Sequence, residues 1–242
     1  MSTLPYAKHK QYKKLYYSFN TFAFLSNGSI NDFISLCRHT FYQLDSSYFS
    51  CIREKPLIPA RLQTRGAKIT AEEQLDKLGN NNENGLQMHT YVMNIGNLFS
   101  LYHKKYGEKY PETNQFAFVD EAAIEACIIF SSCLKSMLKW GAIIKKGNKQ
   151  SITAGKRKGS IYYLNHIFAP IFNISYRLRG GINPTIPTDL FGKMISSSLE
   201  AQDMFNALSA SNKKSNDENF GLEDNEPDDS QLTLFELGEK HE

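Results

Sequence analysis

Charge is divided along this chain so sharply that only part of it can fold. From Asp217 to Glu242 there are ten Asp or Glu and one Lys, about −9 formally, whereas residues 1–216 hold 27 Lys or Arg against 15 Asp or Glu, about +12. The net charge of +3 over 242 residues conceals this division. An acidic segment of this kind buries too little apolar surface to offset its chain entropy, so it is expected to be disordered. The remaining ~210 residues suffice for one large domain or two small ones. No apolar run of membrane-spanning length occurs. Met1–Tyr17 is basic and aromatic and lacks the apolar stretch of a signal peptide, so the expected location is cytoplasmic. Cys37, Cys51, Cys127 and Cys133 show neither CxxC spacing nor a neighbouring His at ligand spacing, which points to reduced thiols and no metal.

Apolar spacing predicts a mainly α protein. A first helix is expected over Lys8–Phe24, with Tyr12, Leu15, Tyr16, Phe19, Phe22 and Ala23 on its inner stripe, ending at the Ser26-Asn27-Gly28 turn. Ser29, with Asp32 three residues on, predicts the cap of a second helix whose stripe is Ile30, Phe33, Ile34, Cys37 and Phe41. Pro56 and Pro59 mark a connector. Further helices are predicted over Thr70–Leu78, with Thr70 as cap and Glu73 completing a capping box, and over Leu86–Tyr106. The Asn80-Asn81-Asn82 cluster between them reads as a turn, because Asn tolerates left-handed backbone.

Beyond Asn114 the pattern changes. Gln115–Val119 alternates like a strand. Asp120–Trp140 follows as one long amphipathic helix with Ile124, Cys127, Ile128, Leu134, Met137 and Leu138 facing inward. Gly141 ends it, and strands at Ala142–Lys145 and Ser160–Leu164 form a small β-hairpin. Helices followed by a hairpin with a long basic loop are the layout of a winged helix. In that layout Lys145, Lys146, Lys149, Lys156, Arg157 and Lys158 are candidate phosphate contacts on DNA. A solvated hairpin, or one used for protein contacts, is the bland alternative. Ile171–Tyr176 is expected to be a final strand. Arg177 and Arg179, before Gly180-Gly181, are secondary nucleic-acid candidates, although that turn also serves simply to lead into the Pro184–Pro187 linker. Asp189–Leu208 reads as a closing helix with Leu190, Phe191, Met194, Ile195, Leu199, Met204 and Phe205 for the core.

Catalytic patterns fail. His9, His39, His89, His103, His166 and His241 are scattered, and no HExxH or GxSxG occurs, so neither an enzyme nor a cofactor is expected.

The acidic tail carries an apolar motif, Gln231-Leu232-Thr233-Leu234-Phe235. It resembles the bacterial sliding-clamp-binding peptide. The resemblance implies that Gln231 is a polar anchor and that Leu234 and Phe235, with Leu232 beside them, fill an apolar cleft on the clamp. The alternative is a C-terminal helix, Asp229–Leu237, capped by Ser230 and packed on the body.

A second resemblance is more diffuse. Phe24–Phe33, then Gln63–Leu78, then Tyr162-Tyr163-Leu164-Asn165-His166-Ile167-Phe168-Ala169-Pro170 look like the C-terminal lid and winged-helix part of bacterial origin-recognition-type AAA+ ATPases. Such lids commonly place a basic, phosphate-sensing residue where Asn31 stands here. A phosphate-binding loop is also missing: Gly155-Lys156-Arg157 has no Gly five residues ahead and no Ser or Thr after the Lys. The resemblance implies a helical lid-like module at 1–60, a winged-helix domain at 61–180, a linker and closing helix at 181–212, and a disordered tail at 213–242. The expected role is a non-catalytic adaptor in replication, repair or mobile-element and defence systems, with DNA and a sliding clamp as partners. Alternatives are the C-terminal sensor or partner-binding half of such an ATPase, acting with a separate ATPase subunit, and a winged-helix transcription regulator.

Overall fold

The computed structural model describes residues 14–44, 57–106, 113–146, 160–177 and 184–217. The chain divides into two compact units, residues 1–208 and 209–242. Within the first, one apolar core joins residues on both sides of position 60, from Tyr16 to Leu208.

Residues 14–17 form an irregular strap, and helix α1 spans Phe19–Leu25. The helix expected from Lys8 is thus corrected over residues 14–18; residues 8–13 lie outside the described residues. Ser18 sits at φ 86° and caps α1 by accepting from the Thr21 N–H, so the chain enters the helix only there. The strap's main-chain N–H groups at Lys14, Tyr16 and Ser18 donate to side-chain oxygens of Asn173, Thr64 and Gln63 at 2.7, 2.9 and 2.8 Å. Tyr16 is buried, and its hydroxyl reaches the carbonyls of Ile174 at 2.6 Å and Ala169 at 3.1 Å.

Helix α2 (Ile30–Phe41) is capped by Ser29, whose Oγ accepts from the Asp32 N–H, as the spacing predicts. Its burial is corrected. Ser35, Leu36 and Thr40 face inward, while Ile30, Ile34 and Phe41 are exposed. The cause is the next helix, α3 (Ala60–Gly79), which crosses α2 almost backbone to backbone: a Cβ on Gly66 would lie 2.5 Å from Thr40 Oγ1 and 2.6 Å from its N. Only small residues fit such a crossing. Helix α3 also begins ten residues earlier than expected. Thr70 is no cap; it is buried mid-helix and its hydroxyl bonds to the carbonyls of Gly66 and Ser35.

Helix α4 (Gly85–Tyr106) follows the predicted span and is the central rod, with Met88, Tyr91, Val92, Ile95, Leu98, Phe99 and Tyr102 all buried. The Asn-rich connection before it turns at Asn84, φ 57°. Strand β1 (Gln115–Phe118) leads to α5 (Glu121–Ala126) and α6 (Ile128–Lys139), then β2 (Ile143–Lys146) and β3 (Ile161–Leu164). A short 3₁₀ turn at His166–Phe168 and α7 (Ala169–Phe172) come next, then β4 (Thr185–Ile186), α8 (Thr188–Ser196) and α9 (Ala201–Asp217). Sheet order is β2-β3-β1-β4, with β3 antiparallel to both β1 and β2 and β4 parallel to β1.

Four expectations after β1 are corrected. The single helix over Asp120–Trp140 breaks at Cys127 (φ −85°, ψ 115°). On a straight helix Ile124 and Cys133, nine residues apart, would point in opposite directions; the break lets both be buried. Ile128, expected inside, is 86% exposed. The strand expected at Ile171–Tyr176 is instead the end of α7, stopped by Asn173 in the left-handed region (φ 56°). The closing helix is two, because buried Asn94 holds the break: its Nδ2 donates to the carbonyls of Met194 and Ser197, each at 2.8 Å, and its Oδ1 accepts from Leu199 N at 3.0 Å.

The core centres on aromatic rings from α4, the sheet and α8. Phe116 stacks on Tyr162 at 5.7 Å, and Phe118 and Tyr91 meet the Phe191 ring edgewise at 5.2 and 5.4 Å. No helix among the described residues is long and apolar enough to cross a membrane.

Candidate nucleic-acid interface

The candidate site is the surface made by α6 and the β2–β3 hairpin. Asp120 starts α5 by accepting from the Ala123 N–H at 2.9 Å. After the break at Cys127, α6 buries Cys133, Leu134 and Met137. Its outer stripe is Ile128, Ser132, Lys135 and Lys139, with Ile129 beside the first of these. The α3–α4 connection braces this helix: Asn84 Nδ2 donates to Ser132 Oγ at 3.1 Å and Ser136 Oγ at 2.9 Å. Glu83 pairs with Lys139 at 2.8 Å and accepts from the Trp140 indole N–H at 3.3 Å. A groove of about 860 Å³ runs beside α6, lined among others by Asn84, Glu125, Ile128, Ser132 and Lys135.

Gly141, at φ 68°, turns the chain from α6 into β2, and the Asn165 amide donates to its carbonyl at 2.8 Å. The hairpin runs from the Ile143–Leu164 pair at one end to the Lys146–Ile161 pair at the other. Glu121, in the first turn of α5, staples that end. Its carboxylate accepts from the Tyr162 hydroxyl, from Lys145 Nζ at 2.9 Å and from the Ser160 N–H at 3.2 Å. Burial alone would raise its pKa, but these hydrogen bonds hold it down at about 2. Burial and the neighbouring Glu121 carboxylate push the Tyr162 phenol up to about 12, and the hydrogen bond that Lys145 donates to Glu121 raises the Lys145 pKa.

Of the basic residues singled out from sequence, the structure brings Lys145 and Lys146 onto β2. Lys145 is engaged by Glu121 and lies 5.5 Å from the Tyr162 ring centroid, and Lys146 ends the strand. Lys149, Lys156, Arg157 and Lys158 lie outside the described residues, as do Arg179 and the tail residues Gln231, Leu232, Leu234 and Phe235. Arg177 is exposed at the end of an extended segment, where its carbonyl and that of Ser175 accept from Asn114 Nδ2. Sequence reasoning missed Glu121, Ser132, Ile129 and Lys135. The amphipathic spacing of 128, 132, 135 and 139 carried the signal for the last helix, but only a break at Cys127 turns that stripe outward.

Asn31 is exposed in the first turn of α2. Its neighbour Asp32, whose carboxyl is raised by burial, lines a cavity of about 200 Å³ with Gln74, Lys77 and Trp140. Among the described residues, no three His, Cys, Asp or Glu converge as a metal-ligand set.

A mainly helical body with two short helices set between β1 and a β-hairpin defines the class of this protein. The chain belongs to the ORC-CDC6-like family, whose model matches residues 4–183, and is thereby related to origin-recognition and Cdc6-type AAA+ proteins. The match includes the hairpin and excludes the acidic tail. No curated protein and no solved structure matches the chain.

Proposed function

We propose that the β1–α5–α6–β2–β3 module is a winged helix that binds duplex DNA, in a non-catalytic adaptor that docks on a bacterial sliding clamp through Gln231-Leu232-Thr233-Leu234-Phe235. The observation that carries the DNA reading is the strand order. β3 lies between β1 and β2, two helices separate β1 from β2, and the β2–β3 connection is the segment whose sequence holds Lys149, Lys156, Arg157 and Lys158. A wing of this kind straddles phosphates while the second helix enters the major groove. The Glu121 staple supports it by fixing the hairpin where that segment leaves the body. Replacing Lys156, Arg157 and Lys158 with Ala should weaken binding to every duplex and flatten the salt dependence by up to about three contacts. A titration at two salt concentrations that shows no change removes the wing from this reading.

The clamp peptide rests on sequence. Burying a Leu and a Phe in a preformed cleft, less the cost of ordering the tail, gives a dissociation constant on the order of micromolar. Leu234→Ala/Phe235→Ala should abolish clamp binding and leave the melting temperature unchanged. A drop of several degrees would instead place the motif against the body. With no phosphate-binding loop in its sequence, the chain alone should neither bind nor hydrolyse ATP.

One observation favours a second reading, that the module contacts a separate ATPase subunit: α1 and α2 leave four large apolar side chains, Phe19, Phe24, Ile30 and Ile34, exposed. Ile30→Ser/Ile34→Ser should then abolish co-purification with a nucleotide-binding domain expressed alongside, and unchanged co-purification removes it.

A further inference from the structure

The first turn of α6 is the most exposed apolar stretch of the hairpin module. Ile128 is 86% and Ile129 69% exposed, on a helix whose other face is fully committed to the core through Cys133, Leu134 and Met137. These two side chains are not part of a broad apolar surface. Along the same stripe follow Ser132, which accepts from Asn84, then Lys135, and then Lys139, which pairs with Glu83. Protein interfaces of standard size need a larger apolar centre than two side chains. A cation, Lys135, in line with a small apolar tip fits a groove whose walls are phosphates and whose floor carries methyl groups.

That floor is the major groove at thymine. In helix-turn-helix docking the N-terminal residues of the second helix reach the base edges, and the C5-methyl of thymine is the one apolar group displayed there. The break at Cys127 puts Ile128 and Ile129 at the N-terminus of α6, the second of the two helices. We infer that Ile128 and Ile129 are specificity-determining residues that read thymine methyls in the major groove. The inference rests on the DNA-binding reading above and deepens it. Lys135, which has no ion pair among the described residues, is placed one to two turns on, where it can meet a phosphate or a guanine edge.

The experiment uses the full chain and two duplexes of equal length, alternating d(AT) and alternating d(AU), which differ only in the thymine methyl. Fluorescence anisotropy at fixed salt should show d(AT) bound tighter, by about fourfold for each methyl buried. The variant Ile128→Ser/Ile129→Ser alters only exposed positions and should keep its melting temperature. It should bind both duplexes equally, with the affinity the native chain has for d(AU). A preference for d(AT) that persists in the variant assigns it to duplex shape and overturns the inference. Equal binding of both duplexes by the native chain also overturns it, leaves the DNA-binding reading standing and assigns the isoleucines to a protein contact. Failure to bind either duplex overturns both readings together.

Discussion

Helices α2 and α4 carry apolar stripes of similar regularity, yet they use them in opposite ways. In α4 every stripe residue from Met88 to Tyr102 is buried, because the helix is surrounded by α3, the sheet and α8. In α2 the bulky residues Ile30, Ile34 and Phe41 face out, and Ser35, Leu36 and Thr40 face in. The difference lies in the partner. α3 presents Gly66 to Thr40 of α2, and an approach that close leaves no room for a bulky side chain at that contact. Periodicity therefore says which face of a helix is apolar, and the neighbour decides whether that face is the one covered.

The largest loss of stability is expected at the centre of the α4 side. Phe116→Ala removes the ring that stacks on Tyr162 and packs near Tyr91 and Phe99, and should cost about 3–5 kcal/mol in denaturant unfolding. Gly66→Leu tests the α2 side. Its first added atom meets Thr40 backbone, so about 1–3 kcal/mol of overpacking is expected, and a neutral result would show that α2 can lift off α3 freely.

A pH titration sharpens the comparison at the end of α4. His103 is largely buried, its Nε2–H donating to the Thr113 carbonyl and its Nδ1 facing Lys14 Nζ at 3.2 Å. Burial, and then the Lys14 charge, lower its pKa to about 4. The folded state thus resists a proton that the unfolded chain takes up near 6.5, so stability should be full above pH 6.5 and fall as pH drops toward 4. His103 should contribute on the order of 1–2 kcal/mol to this loss. His103→Gln should flatten the slope of stability against pH, leaving the part due to His166, which burial shifts in the same direction. The smallest effect is expected on the outward face of α2, where Ile30→Ser/Ile34→Ser should change unfolding free energy by about 0.5 kcal/mol or less. A larger loss would mean that the face is covered.

Elements set by local signals were legible in the sequence. Ser29 capped α2, Gly141 closed α6, the span of α4 was read from its periodicity, the alternation in Gln115–Val119 marked β1, and Ala142–Lys145 with Ser160–Leu164 marked the β2–β3 hairpin. Elements set by tertiary demand were not. Nothing local in Glu125-Ala126-Cys127-Ile128 breaks a helix; burial of both Ile124 and Cys133 does. The split between α8 and α9 depends on Asn94, about 100 positions away in the chain. β4 has two residues and exists only because β1 offers an edge. At the candidate site the basic hairpin could be anticipated from composition, whereas Glu121, which organises its base, looks in sequence like an ordinary acidic residue in a first helical turn.

The strap at residues 14–17 has a consequence for the order of folding. Its anchors on Asn173, Ala169 and Ile174 lie more than 150 residues downstream. During synthesis these partners do not yet exist when the strap leaves the ribosome, and closing so long a loop is slow. Helices α1 and α2 can form early, but the segment before them must wait for α7 before Tyr16 finds its pocket. The first described stretch of the chain should therefore be among the last to gain protection from hydrogen exchange during refolding.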